Sequence, residues 1–199
     1  MADSHGDEKA LAAAIRLLRD KRCATLVHLG DVCDSSLPET ADACVDLVRG
    51  ARVLCVRGNN DHLLLASRHG AAAGLVSEAS FDFLEGLSPA REVAGAVMAH
   101  SLPFVGRMGL SAMVRDMGDA ECALFFSEQP QGLVFRGHSH APRVVRPGKG
   151  GLSRVPLAPG SPVRLLRPAV VTCGALTRGT CLVWEPETGL LLPLALPES

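Results

Sequence analysis

Four times along the chain an apolar run ends, a small residue follows, and a side chain able to hold a metal ion comes next. The places are Gly30-Asp31, Gly58-Asn59, Ala99-His100 and Gly137-His138. Glycine lets the backbone turn sharply and brings the following side chain close to a ligand. The only two Asn are Asn59 and Asn60, and four of the seven His lie in these places or in the opening Asp3-Ser4-His5-Gly6. Each piece has a plainer reading by itself. Asp3-Ser4-His5 can be a solvated helix cap, Asp31 and Asp34 a turn and a cap, and Asn59-Asn60-Asp61 a turn in left-handed backbone. His100 alone reads as an ordinary core or surface histidine. His138 and His140 point the same way if their stretch is extended, which favours a metal. His28, inside an apolar run, reads as a satisfied structural residue, and His69 as surface.

Taken together, the blocks resemble the calcineurin-like metallophosphoesterases. Asp3-Ser4-His5-Gly6 looks like their D-x-H-G, Gly30-Asp31-Val32-Cys33-Asp34 like G-D-x-x-D, and Gly58-Asn59-Asn60-Asp61 like G-N-H-[DE]. His100 fits the isolated histidine, and Gly137-His138-Ser139-His140 looks like G-H-x-H. The five blocks stand in the family's order. The resemblance points to the small bacterial phosphodiesterase-like and diadenosine polyphosphatase-like members. It implies a four-layer α/β sandwich, two mixed sheets face to face and flanked by helices, as a single domain over residues 1–199. It implies two divalent ions, Mn²⁺ first, with Fe, Zn²⁺, Ni²⁺ or Co²⁺ also suited to such N/O ligands. Asp3, His5, Asp31 and His140 would hold one, and Asp31, Asn59, His100 and His138 the other. Asp31 would bridge them, and a shared hydroxide would attack the phosphorus. Asp31, Asn59, Asn60, Asp61 and His138 are then the catalytic set.

Two departures bear on chemistry. Asn60 stands where the family has the histidine proposed as general acid, and an amide has no titrating proton to give. That favours diesters or good leaving groups over ordinary monoesters. His62 is the alternative donor, but its place inside a helix argues against it. The family's apolar first strand is missing before Asp3, so either the true start lies upstream or the first metal site is weakened. A relative of this fold, the eukaryotic retromer scaffold subunit, works as a protein-interaction module, which makes a scaffold the rival reading; all seven ligand positions being filled favours the enzyme. Arg57, Arg107 and Arg136 read equally as phosphate clamps or as solvated surface. Cys173-Gly174-Ala175-Leu176-Thr177-Arg178 is one residue too short for a cysteine phosphatase loop and reads as structural.

The positioning elements follow from periodicity. Asp7–Asp20 predicts a helix with Leu11, Ile15 and Leu18 inward. Ala24–Leu29 and Arg52–Val56 predict strands, and Ser36-Leu37-Pro38-Glu39 predicts a capping box opening a helix to Arg49. A helix over Asp61–Arg68, a strand over Val93–Ala99, one or two helices in 107–129 and a strand over Leu133–Phe135 complete the first half. Hairpins in 142–168 and strands at Ala169–Thr172, Thr180–Trp184 and Leu190–Leu196 complete the second.

Composition bounds the rest. Twenty basic against 21 acidic residues, with 4% aromatics, excludes a strongly basic nucleic-acid binder and disfavours a stacking groove for single strands. No apolar run reaches the ~18–20 residues of a membrane span, and the opening residues do not read as a secretory signal. Seven cysteines without a C-x-x-C pair read as reduced thiols in a cytoplasmic core. The expected partner is a small phosphorylated substrate.

Overall fold

Helix and strand alternate through the first 66 residues of the computed structural model, which describes residues 1–197. Helix α1 (Glu8–Asp20) is capped by Asp7, whose carboxylate accepts the Ala10 amide at 2.9 Å, and it buries Leu11, Ala14, Ile15 and Leu18. Strands β1 (Val27–His28) and β2 (Leu54–Cys55) are parallel and shorter than their apolar runs. Between them a 3₁₀ turn (Pro38–Thr40) leads into α2 (Ala41–Gly50). The predicted capping box does not form, because Ser36 gives both its amide and its hydroxyl to the Asp34 carboxylate, at 2.8 and 2.6 Å. A charged acceptor two residues away outcompetes the turn beyond Pro38. Helix α3 (Asn59–Ala66) begins inside the third motif, two residues earlier than predicted. Helix α4 (Glu78–Glu85) has no counterpart in the sequence reading, although Ser77 caps it and Phe81 and Leu84 are its buried stripe.

The run Val93–Ala99 is two strands, β3 (Ala90–Val93) and β4 (Ala96–Ala99), folded back at Ala94-Gly95, both with positive φ. Helices α5 (Val105–Met108), α6 (Ser111–Val114) and α7 (Asp119–Glu128) replace the one or two expected. The remainder follows prediction: β5 (Leu133–Arg136), β6 (Arg143–Gly148), β7 (Gly151–Pro156), β8 (Val163–Arg164), β9 (Ala169–Thr172), β10 (Thr180–Glu185) and β11 (Leu190–Ala195).

The large sheet runs β3-β4-β5-β9-β6-β7 and mixes parallel and antiparallel pairs. Its two faces separate by strict alternation. Met98, Leu133, Phe135, Val144 and Val171 face a core shared with Leu29, Val56, Leu182 and Leu191 of the other side. Val97, Val134, Val145 and Val170 face Phe125, Phe126 and Met117 of the α5–α7 region. Helices α1–α4 pack with Val53, Cys55 and Cys181 on the far side of the second sheet region. The result is the expected layering of helices, two sheet regions and helices. Antiparallel β10-β11-β8 and parallel β1-β2 make up the second region.

Met1–Asp3 lies between these two pieces. Leu29 donates to the Met1 carbonyl at 2.9 Å, Asp3 donates to Gly30 at 3.1 Å, and Leu176 donates to Ala2 at 2.9 Å. Met1, Ala2 and Asp3 are all buried. The backbone bonds of Met1, Ala2 and Asp3 thus seat the first motif between the two pieces.

His28 is fully buried on β1. Ser4 gives its hydroxyl to the Val32 carbonyl and so accepts from His28 Nε2 at 3.0 Å, while Nδ1 has no partner. The residue is half satisfied rather than satisfied. Burial pulls its pKa from 6.5 to about 3. Between those two values the unfolded chain binds a proton that the folded chain refuses, so stability rises with pH across that window. At roughly 1.4 kcal/mol per pH unit, His28 alone costs about 3 kcal/mol between pH 6.5 and pH 4. Urea midpoints measured over that range should fall with acid in the wild type and fall less in His28→Leu. Equal slopes would remove His28 from the acid sensitivity.

Candidate metal centre

Every motif sits where a strand or its equivalent ends, and all of these ends meet at one edge of the sandwich. Asp31 Oδ2 lies 3.7 Å from His5 Nε2 and 3.5 Å from His100 Nε2. On the first side, His5 Nε2 is 3.2 Å from His140 Nε2, and His140 Nε2 is 3.6 Å from Asp3 Oδ1. On the second side, Asn59 Oδ1 is 2.9 Å from His100 Nε2 and 3.0 Å from His138 Nδ1, and those two nitrogens are 3.2 Å apart. All seven residues named from the sequence lie together, and Asp31 stands between His5 and His100. His100 and Asp31 are buried, while His5 and His140 are partly exposed and form the mouth.

The donor atoms fit cations rather than one another. His100 Nδ1 is 2.8 Å from the Leu29 carbonyl, which can only accept, so Nδ1 carries the proton. Nε2 then faces the Asn59 oxygen and His138 Nδ1. Fixing one ring nitrogen on a carbonyl so that the other is free for a metal is how such histidines are usually held. Two carboxylate-histidine clusters, Asp3 with His5 and His140 and Asp3 with Asp31 and His100, have ligand atoms within 4.8 Å of one another.

Backbone strain accompanies this convergence. Asp3, His5, Asp31, His138 and His140, five of the seven, have φ between 46° and 67°. Each such residue costs on the order of 1 kcal/mol or more and persists only where its surroundings overdetermine it. His138 and His140 are therefore not extended, contrary to the sequence expectation, and the turn sends them to different groups. The surroundings are specific: His5 donates its amide to the Asp31 carbonyl at 3.0 Å, and His138 donates its amide to both Asp3 oxygens at 3.1 Å. Gly58 is required for space. A Cβ there would fall on the Asp31 amide and carboxylate.

Burial pushes the Asp3 carboxyl up, but contact with His140, the His100 and His140 charges and the His138 amide outweigh it, so its pKa is lowered. His140 is raised, first by its bond to Asp3. His138 is lowered by burial and by its neighbours His100 and Arg136.

Asn60 donates Nδ2–H to Asp31 Oδ2 at 2.9 Å and its amide to Oδ1 at 2.8 Å, and it accepts from Ser35. Asp61 turns the other way. It is buried and accepts the amides of Asp31, Cys33 and Gly58, each at 2.9 Å. Burial and the nearby Asp31 charge push its pKa up to about 6 in spite of those bonds. It buckles the second and third motifs together and does not join the donor cluster. His62 makes no side-chain bond to the cluster, and its Nδ1 is buried without a partner.

Sequence reasoning missed the supports. The Cys173–Arg178 stretch is structural as read, and the structure shows its task, since Leu176 and Thr177 donate to the Ala2 and Asp3 carbonyls. Arg107 is engaged with Glu128 and Arg57 with the Glu85 carbonyl. Arg136 is buried beneath the site. All three guanidinium groups are engaged with protein partners. The leucine carbonyl that orients His100 has no sequence signature.

The family model described as the calcineurin-like phosphoesterase superfamily domain matches residues 1–178. The chain belongs to that superfamily. Membership is consistent with metal-dependent phosphoester hydrolysis, and the candidate ligand groups agree with the divalent metals such enzymes use. Among solved structures, this calcineurin-like chain resembles a metallophosphoesterase from Sphaerobacter thermophilus at TM-score 0.78 and 17% identity, covering 100% of this chain and 87% of that one. It also resembles the protein TT1561 of Thermus thermophilus (TM-score 0.55, 13% identity, 99% and 97% covered). A third is a candidate diadenosine tetraphosphatase (TM-score 0.61, 16% identity, 97% and 91% covered). Identities this low speak for the fold alone. No curated protein matches the sequence.

Proposed function

We propose that this calcineurin-like protein is a two-metal phosphoesterase that prefers phosphodiesters of small molecules. The observation that carries it is the position of Asp31 Oδ2, within 3.5–3.7 Å of a histidine from each ligand group. Asp3, His5, His140 and Asp31 would hold one ion, and Asp31, Asn59, His100 and His138 the other. When bound, the ions supply Lewis-acid polarisation of the phosphoryl oxygens and an activated water. The chain's own part is positional. Asn60, beside Asp31, hydrogen-bonds a phosphoryl oxygen through Nδ2. Asp61 acts through the backbone it holds and does not touch substrate.

The preference for diesters follows from what the site lacks. Asn60 carries no titrating proton, so the departing oxygen takes none from that position. Substrates with stable leaving anions are favoured. Mn²⁺ is the proposed ion. The seven free cysteines, most of them buried, support a reducing, cytoplasmic setting. Among the described residues no helix is long and apolar enough to cross a membrane.

With Mn²⁺ the protein should hydrolyse bis(4-nitrophenyl) phosphate faster than 4-nitrophenyl phosphate, and its rate should fall steeply as the leaving group becomes less acidic. Asn60→His should flatten that dependence, raising turnover of alkyl esters about 10-fold or more if the imidazole acts as acid. Failure to cleave any phosphoester with Mn²⁺, Fe, Zn²⁺, Ni²⁺ or Co²⁺ would overturn the assignment.

A further inference from the structure

Arg136, the last residue of β5, is only 1% exposed. Its guanidinium donates from Nε to the Ser101 carbonyl at 3.1 Å and from Nη2 to Ser101 Oγ at 3.0 Å. Nη2 also reaches Asp116 Oδ1 at 2.8 Å, and Nη1 lies 3.4 Å from Ser139 Oγ. Ser101 follows His100, and Ser139 follows His138. The same two loops are joined once more where Gly137 donates to the His100 carbonyl at 3.0 Å. Ser101 Oγ in turn donates to the Arg115 carbonyl at 2.5 Å, so the turn bearing Asp116 is held from two sides.

A buried guanidinium is costly unless its donors are met. An apolar side chain at a strand end would pack without that cost. Here the forked cation spans from one ligand-bearing loop to the other, which neither a hydrophobic residue nor the single point charge of lysine can do. Asp116 is half exposed, so the pair is not a sealed ion pair that would serve the core alone.

We propose that Arg136 is a positioning residue of the metal centre: through Ser101 and Ser139 it sets the rings of His100 and His138, and so governs the affinity of the Asn59–His100–His138 group. This rests on the two-metal reading above. The Asp3–His5 side takes its backbone bonds from Gly30–Val32 and meets the guanidinium only at second hand, through the 3.4 Å contact to Ser139 beside His140.

The test is a Co²⁺ titration of metal-free protein followed by visible absorbance, which does not depend on turnover. Wild type should show two binding events, and His100→Ala identifies the one belonging to the second group. Arg136→Lys should weaken that event 10- to 100-fold and leave the other within about 3-fold. Ser101→Ala keeps the buried charge, is the safer variant for folding, and should weaken the same event. The proposal is overturned if both events keep wild-type affinity in both variants, or if both events fall together in step with the thermal midpoint of the metal-free protein. Wild type that takes up no ion sinks the two-metal reading itself, and Arg136's role with it.

Discussion

Asp31→Asn should lower kcat/KM on an activated aryl phosphodiester by about 10³-fold, or roughly 4 kcal/mol of transition-state stabilisation. The Asp31 carboxylate lies 3.7 Å from His5 and 3.5 Å from His100, one histidine of each group. The amide keeps the shape and one acceptor oxygen but removes the negative charge that would draw two cations together. It also replaces an oxygen that accepts from Asn60 with a group that can only donate there or turn away. Metal content by elemental analysis should fall from about two ions per chain, while the metal-free fold, held by Asp61 and the motif backbones, should keep its far-UV spectrum. A D31N enzyme within tenfold of wild type would remove Asp31 from the centre of the mechanism.

Gly58→Ala should be nearly as damaging without touching a donor atom. The added methyl would land on the amide nitrogen and carboxylate of Asp31, so the two loops must part. The Gly58 and Asp31 amides share Asp61 Oδ2 as acceptor, each at 2.9 Å, so the displacement spreads into that buried carboxylate. Overpacking of this kind costs about 1–3 kcal/mol of stability. A shift of about 1 Å between Asp31 and Asn59 costs about 10²-fold in rate. Gly50→Ala is the control: it also replaces a glycine by alanine, but its Cβ meets nothing within 4 Å. It should leave activity unchanged and stability the same or slightly higher. Denaturant midpoints and diesterase rates on the two variants decide it, and equal behaviour would refute the steric argument.

Much of the fold was legible because its elements bury one face each. The stripe Leu11, Ile15 and Leu18 names a helix whatever surrounds it, and the apolar runs along Leu133–Arg136 and Ala169–Thr172 name strands. The errors fall where local pattern is ambiguous. Glycine and alanine before Ser77 hid α4, and the apolar run Val93–Ala99 concealed a reversal at Ala94-Gly95 because both halves are equally apolar. The failed capping box shows a side chain choosing the stronger nearby acceptor over the one that its spacing suggests.

The seven candidate ligands were readable from residue type, from their place after strands and from their order, because a donor set for divalent ions needs carboxylate, amide and imidazole at turns that a backbone can deliver. Type and order say nothing about direction. The left-handed turn that sends His138 toward Asn59 and His140 toward His5, the carbonyl of Leu29 that fixes the proton on His100, and the inward swing of Asp61 all depend on residues distant in the chain. Arg136 makes the same point: as a letter it is a cation free to meet phosphate, and only packing against Ser101 and Asp116 commits it to holding the loops. Composition along the chain settles which atoms are available. Which of them face one another is a question of distance in space, and only the assembled layers answer it.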